Sequence, residues 1–172
     1  MSDTAKTWTR DTAIIPTSPV LFGSAPAQAL ITQTEGLDIN RNQRGEIQDA
    51  HAIYASGRRF VILEAAFGLW QPPSFAEFWP PLLDAGFLLL AYGFFRGDQG
   101  GMEQAEFLLD VTRPMFDAQG FYMPIFADVE PFDGDATPSV VTRVRRFHEW
   151  KATIRSVARA GAYSNQPSWS AL

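Results

Sequence analysis

The sequence predicts an α/β fold in which helices cover a parallel β-sheet. Three observations carry this reading. Short apolar runs are too continuous for strands with one wet face, segments with helical spacing separate them, and carboxylates stand at the ends of two of the runs. With 172 residues, 46 % of them apolar and 19 % charged, the chain can form one globular domain with a sizeable core.

Residues 1–34 are rich in Thr, Ser, Ala and Pro, with short apolar pieces at Ala13-Ile14-Ile15 and Val20-Leu21-Phe22. Such a stretch suits an extended arm or linker, and the domain is expected over residues 35–172. Strands are expected at Leu37 to Ile39, Phe60 to Leu63, Phe87 to Tyr92 and Pro124 to Val129, with a weaker one at Ala160 to Tyr163. Ile47, Ala50 and Tyr54 share one face of a first helix that Gly57 stops. Phe75, Phe78, Trp79, Leu82 and Leu83 mark a second, which Pro80-Pro81 should bend or break. Met102, Ala105, Leu108 and Leu109 mark a third, ending at Pro114. Thr137-Pro138 reads as an N-cap and first-turn proline opening a fourth, with Val140, Val144, Phe147 and Ile154 on one side. Doubly wound sheets and β/α barrels both satisfy this alternation.

Composition removes several function classes. A net charge of −5 argues against nucleic acid as the main partner. The basic run Arg143, Arg145 and Arg146 reads as the wet side of a helix. Without cysteine there is no disulfide framework, thiolate metal site or Cys nucleophile, and His51 and His148 lie too far apart in sequence to suggest a His-rich zinc site. Gly97-Asp98-Gln99-Gly100-Gly101 lacks the phosphate-loop lysine and the dinucleotide spacing. Met1 to Arg10 has no apolar segment of a secretory leader, and no run approaches the roughly 20 residues that span a bilayer. The expectation is a soluble chain made in the cytoplasm, with no membrane insertion.

The most informative segment is Pro124-Ile125-Phe126-Ala127-Asp128-Val129-Glu130-Pro131. Acids at i and i+2 project to the same side of a strand, here at the C-terminal end where parallel-sheet enzymes place their chemistry. Two acids held close together resist joint ionisation, which keeps one available as a general acid, and glycoside hydrolysis needs such a pair. Spacing alone equally admits capping or salt-bridged acids. Asp38, at the end of the first strand, could face the same mouth, although Asp38-Ile39-Asn40 also suits a turn.

At these residues the chain resembles family 25 glycoside hydrolases. Their opening Asp-x-Ser and Gln-Gly turn are matched by Asp38-Ile39-Asn40 and Gln43-Arg44-Gly45, and their Lys-Ala-Thr-Glu-Gly strand by Phe60 to Gly68. Ala85-Gly86 and Leu90 to Arg96 follow the Ala-Gly and Gly-Ala-Tyr-His-Phe segments, and Gln104 to Leu108 the next helix. Ala127-Asp128-Val129-Glu130 stands at Leu-Asp-Val-Glu, and Tyr163-Ser164-Asn165 with Trp169 at the Tyr-Ser/Thr-Asn strand end. The order holds over residues 36–172. Glu64 stands where the family has lysine, Phe67 where it has glutamate and Gly93 where it has histidine.

The resemblance implies a TIM-like β/α barrel, incomplete, with about five βα units of the eight in a closed barrel. It implies a muramidase that cuts the β-1,4 bond between N-acetylmuramic acid and N-acetylglucosamine in bacterial peptidoglycan, with neither a metal nor an organic cofactor. Glu130 would be the proton donor, and Asp128 and Asp38 would stabilise the developing oxocarbenium charge or orient the N-acetyl group or water. Tyr92 and Tyr163, at strand ends, are placed to stack on sugar rings. Glu64, near the barrel mouth, joins them as a candidate substrate-binding residue. Such a chain would reach the wall after release or as part of a virion. A partner chain, or the N-terminal arm, is expected to cover the open side of the barrel. The rival reading is a catalytically inactive, lysozyme-like structural or glycan-binding domain of a larger assembly.

Overall fold

Five strands lie side by side in chain order and run parallel: β2 (Gly36–Ile39), β3 (Phe60–Phe67), β4 (Leu88–Phe94), β5 (Ile125–Asp128) and β6 (Ala160–Tyr163). This computed structural model describes residues 7–8, 34–45, 47–130 and 138–164. A short β1 (Thr7–Trp8) pairs antiparallel with β2, so part of the expected arm joins the sheet. The apolar pieces at residues 13–15 and 20–22 lie outside the described residues, as do Pro131, Thr137, Asn165 and Trp169.

The crossovers contain a 3-10 turn (Arg41–Gln43) with α1 (Ala50–Ala55), then α2 (Pro73–Asp84), α3 (Gly101–Gln119) and α4 (Val140–Arg155). Each crossover steps to the next position in the same direction. Parallel crossovers are right-handed, so a sheet wound this way carries its helices on one face. That is the winding of a β/α barrel. A doubly wound sheet reverses direction at a switch point, and no reversal occurs among the described strands.

Strand alternation then divides the side chains. Leu37, Ile39, Val61, Leu63, Leu89, Ala91, Ile125 and Ala127 are buried in one core with Phe75 and Leu82 of α2, Leu108 and Phe116 of α3, and Trp150 and Ile154 of α4. The opposite, inner face carries Asp38, Ile62, Glu64, Tyr92, Phe126, Asp128 and Tyr163. On this face Leu90 is buried, whereas Ile62 and Phe126 are only partly buried. The expectation of strands buried on both sides therefore holds fully for the helix-covered face alone.

The helix limits differ from expectation. Pro80 and Pro81 lie inside α2, and Pro114 lies inside α3. An interior proline frees the carbonyl four residues back. Those carbonyls belong to Ala76, Glu77 and Asp110, all exposed residues that water can reach. The buried face continues past the prolines with Leu82 in α2 and with Met115 and Phe116 in α3, so packing outweighs the lost hydrogen bonds. The first helix starts at Ala50, where Asp49 accepts from the Ala52 N–H at 2.9 Å. It stops at Ser56, and Gly57 follows with φ 108°. The fourth is capped by Ser139, which accepts from the Thr142 N–H at 3.2 Å; the expected cap, Thr137, lies outside the described residues. Val140 is 46 % exposed, and Trp150 takes the core position instead.

The basic run on α4 is only partly a wet face. Arg145 pairs with Glu149 at the surface, but Arg146 donates to the Gly97 carbonyl at 2.7 Å and so ties α4 to the β4–α3 loop. The helices approach closely there: a Cβ on Gly101 would lie 1.7 Å from the Arg146 carbonyl oxygen. His51 is a surface residue that faces Asp84 at 3.3 Å, and His148 is also exposed. Among the described residues no helix is long and apolar enough to cross a membrane.

Candidate active site

At the C-terminal ends of the parallel strands the inner face opens into a cavity of about 220 Å³. All six site residues expected from the sequence line it: Asp38 from β2, Glu64 from β3, Tyr92 from β4, Asp128 from β5, Glu130 just beyond β5, and Tyr163 from β6. Asn40, Arg41, Asn42, Gln43 and Phe94 complete the lining.

Backbone pairing fixes the acids. The Phe95 N–H donates to the Asp128 carbonyl at 2.8 Å, and the Val129 N–H donates to the Tyr163 carbonyl at 2.9 Å. The end of β5 is thus held from both neighbours. Asp128, its last residue, and Glu130, two residues on, face the same space.

On the other side of the cavity the 3-10 turn is organised by a capping box. Asn40 Oδ1 accepts from the Asn42 N–H at 2.8 Å, while buried Gln43 accepts through Oε1 from the Asn40 N–H at 2.8 Å. This geometry aims Arg41 at Glu64. The Arg41 backbone N–H donates to Glu64 Oε2 at 2.9 Å, and its Nη1 makes an ion pair with Oε1. The guanidinium also lies 4.3 Å from the centre of the Phe67 ring, which stacks on Phe94 with centroids 4.6 Å apart.

Arg41 belongs to none of the motifs legible in the sequence. The acid at position 64, buried in a strand, was the available signal, because a buried carboxylate calls for a cation. Glu64 and Phe67, where the resemblance leads one to expect lysine and glutamate, both meet Arg41 of the preceding turn. Gly93, at the family's histidine, faces the helices: a Cβ there would lie 3.0 Å from Leu108 Cδ2 of α3. Position 93 lies outside the cavity lining.

Burial pushes the Glu64 carboxyl above its ordinary value of 4.5, and Arg41 opposes the rise through its backbone N–H, its charge and its side-chain hydrogen bond. Between 4.5 and the raised value, the folded chain keeps a proton that the unfolded chain has released. Stability due to this group is therefore greatest in acid and declines as pH rises through that window. Glu64→Gln cannot titrate. Its thermal midpoint relative to the parent is expected to shift in the variant's favour as pH rises above about 4.5 and through the raised value. A difference that stays constant over that range would show that Glu64 ionises equally readily in both states.

The two tyrosines meet edge to face, with centroids 5.7 Å apart and planes at 70°. Burial, followed by the charges of Asp38, Glu64 and Asp128, pushes the Tyr92 phenol well above 10. Burial, then Tyr92 and the charges of Asp38 and Asp128, pushes Tyr163 up as well. Both stay protonated and neutral. Tyr92 is only 4 % exposed, so its ring forms part of the cavity floor and not an open rim. Chemically the cavity offers carboxylates that can give or take a proton beside neutral phenols that can hydrogen-bond to hydroxyl or carbonyl groups.

No protein-family model and no curated protein matches the sequence. Solved structures similar to this chain include a muramidase from Acremonium alcalophilum, at 22 % identity and TM-score 0.67, covering 79 % of this chain and 67 % of that one. A family 25 glycosyl hydrolase from Bacillus anthracis matches at 18 % identity and TM-score 0.67, covering 80 % and 63 %. A muramidase from Trichobolus zukalii matches at 24 % identity and TM-score 0.60, covering 72 % and 60 %. The chain spans from 60 % to 67 % of the length of these three structures. Consecutive parallel strands, carboxylates at their C-terminal ends and these matches agree on one architecture: the chain has the β/α-barrel fold of the family 25 glycoside hydrolases, over about two-thirds of its extent.

Proposed function

We propose that this chain is a peptidoglycan muramidase domain that hydrolyses the β-1,4 bond between N-acetylmuramic acid and N-acetylglucosamine. The observation that carries the reading is the convergence of Asp38, Asp128 and Glu130 on one cavity at the strand ends. The fold of known muramidases supports it. In this reading Glu130 protonates the leaving glycosidic oxygen. Asp128 and Asp38 stabilise the oxocarbenium charge that develops as the bond breaks, or orient the N-acetyl group or water. Tyr92 and Tyr163 contact the sugar, with Tyr92 offering its hydroxyl from the floor. Residues 35–172 form the catalytic unit, and residues 1–34 an arm that lends β1 to the sheet. The protein would meet peptidoglycan after release from the cell or as part of a virion, with a partner chain covering the open side of the barrel.

Glu64 and Phe67, at positions where the family carries lysine and glutamate, favour a second reading: a lysozyme-like domain that binds glycan without cutting it. A zymogram on peptidoglycan separates the two. A cleared band is expected for the refolded chain. Sedimentation with purified sacculi but no clearing would turn the assignment to the binding domain, and neither result would remove both.

A further inference from the structure

Four carboxylates line the cavity, from Asp38, Glu64, Asp128 and Glu130, and among the described residues Arg41 is the one cationic side chain that joins them. A ligand bearing its own carboxylate is repelled by such a lining unless a cation receives it. Arg41 is built to be that cation. Its Nη1 is committed to Glu64 and its plane is laid over Phe67, so the side chain is already ordered. Yet it remains 33 % exposed, and among the described residues its Nε and Nη2 donors make no hydrogen bond. That free edge has the spacing that takes a carboxylate through two parallel hydrogen bonds. Arg96, the other guanidinium near Phe67, grips Asp98 through both Nε and Nη2 and has no such edge to offer.

We propose that Arg41 receives an acidic substituent of the bound glycan, the carboxylate that distinguishes N-acetylmuramic acid from N-acetylglucosamine. The inference rests on the muramidase reading and adds to it the residue that tells the two sugars apart. Arg41 as no more than the counter-ion of Glu64 is the competing explanation, and a paired substitution separates them. Arg41→Gln with Glu64→Gln replaces the ion pair by two amides and leaves no buried charge behind.

The experiment is calorimetric titration of the full chain, carrying Glu130→Gln throughout so that no ligand is cut. Two probes are compared: a tetrasaccharide of alternating N-acetylglucosamine and N-acetylmuramic acid, and the same tetrasaccharide with its carboxyl groups reduced to alcohols. The chain with Arg41 and Glu64 intact should bind the acid form at least about 10-fold tighter, as expected for hydrogen bonds to a charged group. The paired variant should lose that preference and bind the acid and alcohol forms with affinities within about 2-fold of each other. A paired variant that keeps the preference overturns the inference. Equal binding of both probes by the intact chain overturns it too, needs no variant that must fold, and leaves the muramidase reading standing. An intact chain that binds neither probe removes both.

Discussion

Glu130→Gln is expected to lower the rate of cell-wall clearing by at least about 10²-fold, the usual contribution of a positioned general acid. The amide keeps the shape and hydrogen-bonding capacity of the carboxyl but has no proton to transfer to the leaving oxygen. Glu130 lies just past the end of β5, partly exposed and outside the buried core, so the fold should not depend on its charge. Unchanged thermal unfolding alongside lost clearing would locate the defect in chemistry. Asp128→Asn in parallel tests the neighbour that shares this strand end. Turbidity of suspended cell walls, followed at equal protein concentration, gives the rates. If the Glu130 variant clears walls at the parent's rate, the proton donor is another group, and Glu64 and Asp38 become the carboxyls to examine.

The strands are legible in the sequence because a sheet packed under helices imposes local patterns. Leu37-Asp38-Ile39 and Ala127-Asp128-Val129 each place an acid between apolar neighbours, so alternation sends the neighbours to the core and the acid to the inner face. The shared cavity follows from there, since acids at the C-terminal ends of parallel strands meet at one mouth. The helix limits are less legible. Pro80, Pro81 and Pro114 read locally as breaks, but their consequences depend on whether the freed carbonyls face water, which is settled by tertiary packing. Arg41 and Gln43 fall in the same class. Asn40-x-x-Gln43 has capping-box spacing, yet what the box aims at, a carboxylate 23 residues further on, comes from the pairing of β2 with β3. Helical spacing likewise puts Val140 on the buried side of α4 and leaves Trp150 unmarked. An aromatic among charged residues (Arg145, Arg146, Glu149 and Lys151) shows its burial only once α3 and α4 are seen together.

Trp150→Ala is expected to remove about 3–5 kcal/mol of stability, the usual loss when a fully buried aromatic is truncated and its cavity cannot collapse. Trp150 is 2 % exposed and belongs to the single core. Its ring stacks on Phe147 with centroids 6.1 Å apart and planes at 8°, and Phe147 meets Phe95 edge-on at 5.7 Å. Phe95 in turn donates its N–H to the Asp128 carbonyl at 2.8 Å. The stack therefore connects α4 to the strand end that holds the catalytic candidates. Single domains have total stabilities of about 5–15 kcal/mol, so this loss is a large share of the whole. At roughly 2–4 °C per kcal/mol for a chain of this size, the thermal midpoint should fall by about 6–20 °C. Trp150→Phe keeps a ring in the stack and should cost distinctly less. Calorimetric or circular-dichroism melts of the three proteins provide the comparison. A Trp150→Ala midpoint within about 2 °C of the parent would mean that α4 contributes little to the cooperative core, and that β5 holds Asp128 and Glu130 in place without it.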